Sequence, residues 1–267
     1  MNTDDILTLY DQQMRLAPPT AGAEIVHQDG LTIARPTARS RFGGWIIYTR
    51  LTAANADQVI RDQVQAMRAS GKDWEWKTYG HDTPPDLQGR LLAHGFEAEE
   101  PEALLALDLA QAPGRLWEPV KADLRRLARP EEIDAVVRVH DAVWGETGDD
   151  LARELRRDLA ETPLSLSVYA VYDQGQPVSA AWIRFHEGRD FADLWGGSTI
   201  AAYRGRGYYS DLVAVRAQEA HARGFRFLTI DASDMSRPIL EKIGFRFLTW
   251  TQPFVWHQAE RSSISQA

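Results

Sequence analysis

FADLWGGSTIAAYRGRGYY, Phe191–Tyr209, is the stretch on which the reading of this chain turns. A strand-like apolar run, Phe191–Trp195, leads into a loop that carries two glycines and two arginines. From Tyr208 to Arg223 the period becomes helical, with Tyr209, Val213, Ala217 and Ala220 on one face, and Gly224 placed to end the helix. A glycine-rich loop that opens directly into a helix is an anion site. The first amides of a helix lack internal partners, and the helix dipole adds partial positive charge there. Gly205 and Gly207 let a phosphate approach the backbone, and Arg204 and Arg206 add charge. Between Arg204 and Arg226 five arginines stand against Asp211 and Glu219, on a chain whose net charge is −8. Gly196-Gly197 inside a strand predicts a bulge or a close backbone approach.

Two familiar phosphate loops fit poorly. A Walker loop needs Lys and Ser/Thr after its last glycine, where this chain has Tyr208-Tyr209. A dinucleotide fingerprint needs a third glycine where Ser210 stands, and an early strand before it. Working outward, Phe225–Ile230 reads as a buried parallel strand, and Ser236 and Pro238 open a short helix that stops at Gly244. Phe245–Trp256 reads as a closing strand or hairpin pair. Upstream, Glu131–Trp144 and Asp149–Glu161 read as helices, the second capped by Asp149 or Asp150. Ser167–Tyr172 and Val178–Phe185 read as a hairpin around Asp173-Gln174-Gly175. The first half repeats the later order: helix Ala54–Ser70, strand Asp73–Tyr79, helix Pro85–His94, then Gly95-Phe96. LLAHGF (Leu91–Phe96) and LEKIGF (Leu240–Phe245) share their apolar spacing and final Gly-Phe, as in a tandem repeat with a boundary near Ala110–Gly114.

This order of strand, Arg-x-x-Gly loop, helix, strand, short helix and Gly-Phe resembles the GCN5-related N-acetyltransferase (GNAT) superfamily. The family's pyrophosphate loop reads Gln/Arg-x-x-Gly-x-Gly/Ala, and Arg204-Gly205-Arg206-Gly207-Tyr208-Tyr209 matches all but the last position. TIAAYRGRG and PILEKIGF are similar to the family's loop approach and closing segment. The whole chain looks like a tandem GNAT with a degenerate N-terminal copy, because the equivalent stretch there, Arg50–Asn55, has no glycine. The resemblance implies an α/β protein of two GNAT-like domains, each a mixed, mostly antiparallel sheet flanked by helices. Residues 1–112 would form the copy without a cofactor loop, 116–258 the acetyl-CoA-binding domain, and 259–267 a tail. It also implies acetyl-CoA as cosubstrate and a primary amine, on a small molecule or amino terminus, as acceptor. The pyrophosphate would lie on Arg204, Gly205, Arg206, Gly207, Tyr208 and Tyr209. The pantetheine arm would lie along Gly197, Ser198 and Thr199, with Ser233 nearby.

The chain also departs from that pattern. Leu240 stands where many relatives carry a Tyr acid, Leu228 where some carry a Glu base, and Ser233 where an Asn is common. Candidates for a general base are then Asp231, Asp193, Glu146 and His186. Asp231 has turn capping as its plainer role, and His186 beside a turn is expected to be exposed. Trp74 and Trp76 are expected between the two domains, and Gly196-Gly197 would leave room for a bulkier acyl group. A catalytically silent acyl-CoA-binding protein is the alternative.

Composition limits the rest. With 30 Lys+Arg against 38 Asp+Glu, the chain is a poor general binder of nucleic acid or anionic membrane. It has no Cys, which removes disulfides, thiolate zinc sites and a cysteine nucleophile, and no metal site is expected. MNTDDILTLYDQQMRL lacks the features of a secretory signal, and no apolar run reaches the roughly 18 residues of a membrane span. A soluble, cytoplasmic monomer or homodimer is the expectation.

Overall fold

In the computed structural model, residues 1–258 are described except Ala21, Arg39 and Glu146, and they form two compact units. The first holds residues 1–104, 231–234 and 247–258; the second holds 105–230 and 235–246.

The first unit starts with α1 (Thr3–Tyr10), continued by a π-helical turn, Asp11–Leu16. Then come β1 (Ala23–Gln28), β2 (Leu31–Pro36) and β3 (Phe42–Thr49), each antiparallel to the next. The helix α2 (Ala56–Ser70) follows, ended by Gly71, and returns the chain to β4 (Asp73–Tyr79), parallel to β3. Next are α3 (Leu87–Ala93) and the two-residue β5 (Glu97–Ala98). Strand β6 (Glu102–Asp108) leads on into the second unit. In α2 the buried positions Val59, Ile60, Val64 and Met67 recur at helical spacing, so one stripe faces the sheet. They pack with Ile33, Ile46, Trp74, Trp76, Leu87 and Leu91. Trp74 and Trp76 therefore lie inside the core of the first unit, which corrects their expected place between domains. The alternation of β4 turns both rings to the helix side, where Trp76 Nε1 donates to Thr49 Oγ1 at 2.8 Å.

The second unit contains β7 (Asp123–Leu127), α4 (Asp134–Trp144), α5 (Asp149–Glu161), β8 (Leu166–Asp173), β9 (Gln176–Phe185) and β10 (Phe191–Thr199). Then follow α6 (Tyr208–Ala222), β11 (Phe227–Ala232) and α7 (Arg237–Ile243). Its strand order is β6-β11-β10-β9-β8-β7. β7 through β10 are antiparallel neighbours, and β10 with β11 is parallel. β8 and β9 form the expected hairpin. Helices α4 and α5 cover one face through Val136, Val139, Leu155 and Leu159 on Val168, Ala170 and Trp182. The residue before α5 is Gly148, with no side-chain cap, so neither Asp149 nor Asp150 caps that helix as expected.

The two units share a local plan. In each, antiparallel strands precede a parallel pair joined by a 15-residue helix, α2 or α6. The repeat seen in the sequence has matching geometry: Phe96 N donates to Leu91 O at 3.2 Å and Phe245 N to Leu240 O at 3.0 Å, closing α3 and α7 alike. The final segment is one strand, β12 (Arg246–Trp256), not a hairpin. Its residues Thr251–Trp256 pair antiparallel with Tyr79–Trp74 of β4, within the first unit.

Candidate active site

The loop before α6 is open. Arg204, Gly205, Arg206 and Gly207 are exposed, and a Cβ built on Gly205 or Gly207 would meet nothing within 4 Å. Gly207 is the N-cap of α6 at φ +87°, a conformation that L side chains rarely adopt, and no side chain caps the helix. The amides at the head of α6 are thus presented to solvent in the arrangement that binds anions. The arginines differ. Arg204 Nε donates to Thr199 O at 3.1 Å, holding the loop to the end of β10. Arg206 pairs with Asp173 at 2.8 Å, and Tyr208 OH donates to the same carboxylate oxygen at 3.1 Å. Asp173 anchors the loop to the β8–β9 turn.

The counterpart in the first unit is closed by its own chain. Leu51 is buried, its N donates to Thr83 O at 3.0 Å, and Arg50 N donates to Gly30 O at 2.8 Å. Those amides are already used, and the stretch Arg50–Asn55 has no glycine.

Beside the open loop, β10 leaves its parallel neighbour. Its register with β11 runs from Phe191↔Phe227 to Asp193↔Thr229, whereas its pairing with β9 continues to Thr199↔Ser179. A gap in the sheet therefore opens after Asp193, along Leu194–Thr199. A bulge between Trp195 and Ser198 accommodates Gly196-Gly197. Gly196 has φ +64°, and a Cβ there would lie 1.8 Å from the Trp182 ring; on Gly197 it would lie 2.7 Å from the Tyr209 ring. Aromatic rings fill both spaces, so the glycines do not leave room for a bulkier acyl group. The Tyr209 hydroxyl bonds Ser236, and burial pushes that phenol up. Ser198 O accepts from Ser179 Oγ at 2.7 Å, and Thr199 Oγ1 lies 2.7 Å from the same hydroxyl.

The candidate bases have distinct surroundings. Asp193 accepts from Thr229 Oγ1 at 2.5 Å and faces His186 Nε2 at 2.7 Å, with both side chains mostly buried. His186 is therefore not an exposed turn residue, as the sequence suggested, but half of an Asp–His pair. Because the carboxylate accepts, Nε2 carries the proton, and Nδ1 is the basic nitrogen of the neutral ring. Asp231 does not cap a turn. It receives Lys77 Nζ at 2.6 Å and Thr251 Oγ1 at 2.8 Å, all within the first unit. Burial lowers the Lys77 ammonium, but Asp231 and its other neighbours hold it above the ordinary lysine range. Glu146 lies outside the described residues. Ser233 is exposed just after β11, and Leu228 and Leu240 are fully buried. Sequence spacing alone did not reveal the His186–Asp193 pair or the buried Arg216 under the bulge. The pair bridges the end of β9 and β10, and an arginine on a helix reads as a surface charge.

No helix among the described residues is long and apolar enough to cross a membrane. No protein-family model matches the chain, and no curated protein matches it. Solved structures do. A GCN5-related N-acetyltransferase from Kribbella flavida is 16% identical, with a TM-score of 0.69 and 95% of each chain covered. A functionally unknown conserved protein from Staphylococcus epidermidis is 14% identical at TM-score 0.68, over 88% of this chain and 94% of its own. A tandem GNAT protein from the clavulanic acid biosynthesis pathway is 13% identical at TM-score 0.57, over 95% of this chain and 93% of its own. The chain has the fold of the GNAT acetyltransferases, along the length of a tandem GNAT protein.

Proposed function

We propose that this chain is an N-acyltransferase that moves an acetyl group from acetyl-CoA to a primary amine of a small molecule or an amino terminus. The observation that carries the reading is the exposed Gly-Arg-Gly loop whose second glycine caps an otherwise uncapped helix beside the diverging strand β10. The diphosphate would rest on the amides from Arg204 to Tyr209, with Arg204 adding charge while Arg206, paired with Asp173, holds the loop. The free edge of β10 at Gly197–Thr199 offers backbone groups that an amide-bearing arm can pair with, as a further strand would.

The transfer is direct. The amine nitrogen attacks the thioester carbonyl, a C–N bond forms and the C–S bond breaks. The amine proton passes to a base and the sulfur leaves as thiolate. The chain must orient the two reactants, stabilise negative charge at the carbonyl oxygen and accept the proton. The His186–Asp193 pair is the base that we favour. Asp193 holds the imidazole through Nε2, and Thr229 holds Asp193 in turn. Asp231, committed to Lys77 and Thr251, is less available.

Titration calorimetry with acetyl-CoA, followed by a thiol-release assay over a panel of amines, tests this reading. Binding together with thiol release that depends on one class of amine supports it. The absence of binding removes it, and binding without turnover on any amine assigns the chain to silent acyl-CoA binding.

A further inference from the structure

Arg216 of α6 is fully buried. Its Nε donates to Leu212 O at 2.8 Å, one turn back in its own helix. Its Nη1 donates to Trp182 O at 3.0 Å and to Trp195 O at 3.3 Å. Those two residues face each other as the last matched pair of β9 and β10 before the bulge. Nη2 is buried and has no hydrogen-bond partner. Among the described residues no carboxylate forms an ion pair with this guanidinium. Burial pulls it down to about 10, and it still carries its charge at neutral pH.

A lone charge placed in the interior is strongly unfavourable unless something compensates it. Three backbone carbonyls compensate in part, and a methionine of similar length would pack there without that cost. A purely structural role therefore explains the residue poorly. Its position suggests another. The Trp195 carbonyl that Arg216 grips belongs to the same peptide unit as the Gly196 N–H, which lies in the bulge. A cation bonded to the oxygen of a peptide draws electron density toward it and makes the N–H of that peptide a stronger donor.

We propose that Arg216 is a positioning residue for acyl transfer: it clamps the Trp182–Trp195 pair so that the bulge keeps its shape, and it polarises the Gly196 amide as a donor to the oxygen that becomes negative during transfer. The inference rests on the reading of this loop and strand as the acetyl-CoA site. Arg216 touches no reactant and acts through the strand.

The test compares Arg216→Met and Arg216→Lys with the unaltered full chain. It uses amide hydrogen exchange at Gly196 and Gly197, calorimetry with acetyl-CoA, and steady-state kinetics with the best amine. In the methionine variant, exchange at both glycines accelerates and the affinity for acetyl-CoA stays within about threefold. Its kcat falls about 10- to 100-fold, less than or equal to the loss of a whole oxyanion donor. KM for both substrates moves little, and the lysine variant recovers part of kcat because it restores the charge. Unaltered kcat in the methionine variant overturns the proposal, as does a lysine variant that is no better than methionine. If the methionine variant fails to fold, the lysine variant decides: a kcat equal to wild type with faster exchange overturns the polarising role. If the unaltered chain binds no acetyl-CoA, the reading of the site falls, and exchange alone judges the clamp. Unchanged protection at Gly196 and Gly197 in both variants then overturns it.

Discussion

Gly207 combines a positive φ with a place at the open head of a helix. Gly207→Glu adds a carboxylate where a diphosphate would lie and strains the backbone as well. Acetyl-CoA binding should become undetectable by calorimetry while the far-ultraviolet circular dichroism is retained. Gly196 is constrained from the opposite side, by the Trp182 ring. Gly196→Ala should destabilise the protein by about 2–4 kcal/mol in urea unfolding, because overpacking and a left-handed alanine act together. Double substitution with Trp182→Leu should return part of that loss by opening space for the methyl group. The His186–Asp193 pair makes a kinetic claim at the same scale. Asp193→Asn removes the carboxylate that holds the imidazole, and kcat should fall about 100-fold while KM for acetyl-CoA is little changed.

Strand β4 shows what one element does on its two faces. Trp74 and Trp76 turn to the core, whereas Glu75, Lys77 and Tyr79 occupy the other face. Burial pushes the Glu75 carboxyl up; Lys77 opposes this, and Asp231 and Glu99 add to it. Glu102 is raised by burial and by Asp231. A carboxyl whose folded pKa is raised binds protons more tightly in the native state than in the unfolded chain. Its effect on stability is therefore adverse above the raised value and fades as pH falls toward the ordinary 4.5. Glu75→Gln should raise the melting temperature at pH 7, and the gain should vanish below about pH 4. No gain at pH 7 would show that Glu75 stays solvated. Lys77→Met should have the reverse sign: it leaves Asp231 among Glu75 and Glu102 with no cation, and should cost about 2–3 kcal/mol at pH 7 by urea unfolding.

At the scale of the whole molecule, chain order and compact units do not coincide. The strand that completes the first unit, β12, comes from the far end of the chain and pairs with β4 over six residues. Phe254 and Trp256 enter the same core as Trp74 and Trp76. A fragment of residues 1–112 should therefore remain unfolded or aggregate by circular dichroism and light scattering, since it exposes the bare edge of β4 and an unfilled core. Fusing residues 247–258 to that fragment through a flexible linker should restore cooperative unfolding.

Local signals made much of this legible beforehand. The strand Asp73–Tyr79 and the helix Asp149–Glu161 have the bounds that their sequence pattern predicts, because periodicity and adjacent breakers lie within the segment itself. The first three strands carry no comparable signal, because their burial is irregular and polar residues interrupt them.

By itself the sequence determined the Gly-Arg-Gly loop, the helix behind it and the bulge at Gly196-Gly197, since these depend on neighbouring residues and on glycine's own stereochemistry. Only the tertiary structure decided that His186 meets Asp193, that Asp231 belongs to Lys77, 154 positions away, that β12 completes the first unit, and that Arg216 lies under the bulge. Those are pairings across strands and helices distant along the chain. Burial and register create them, and neither quantity is written in the spacing of a linear pattern.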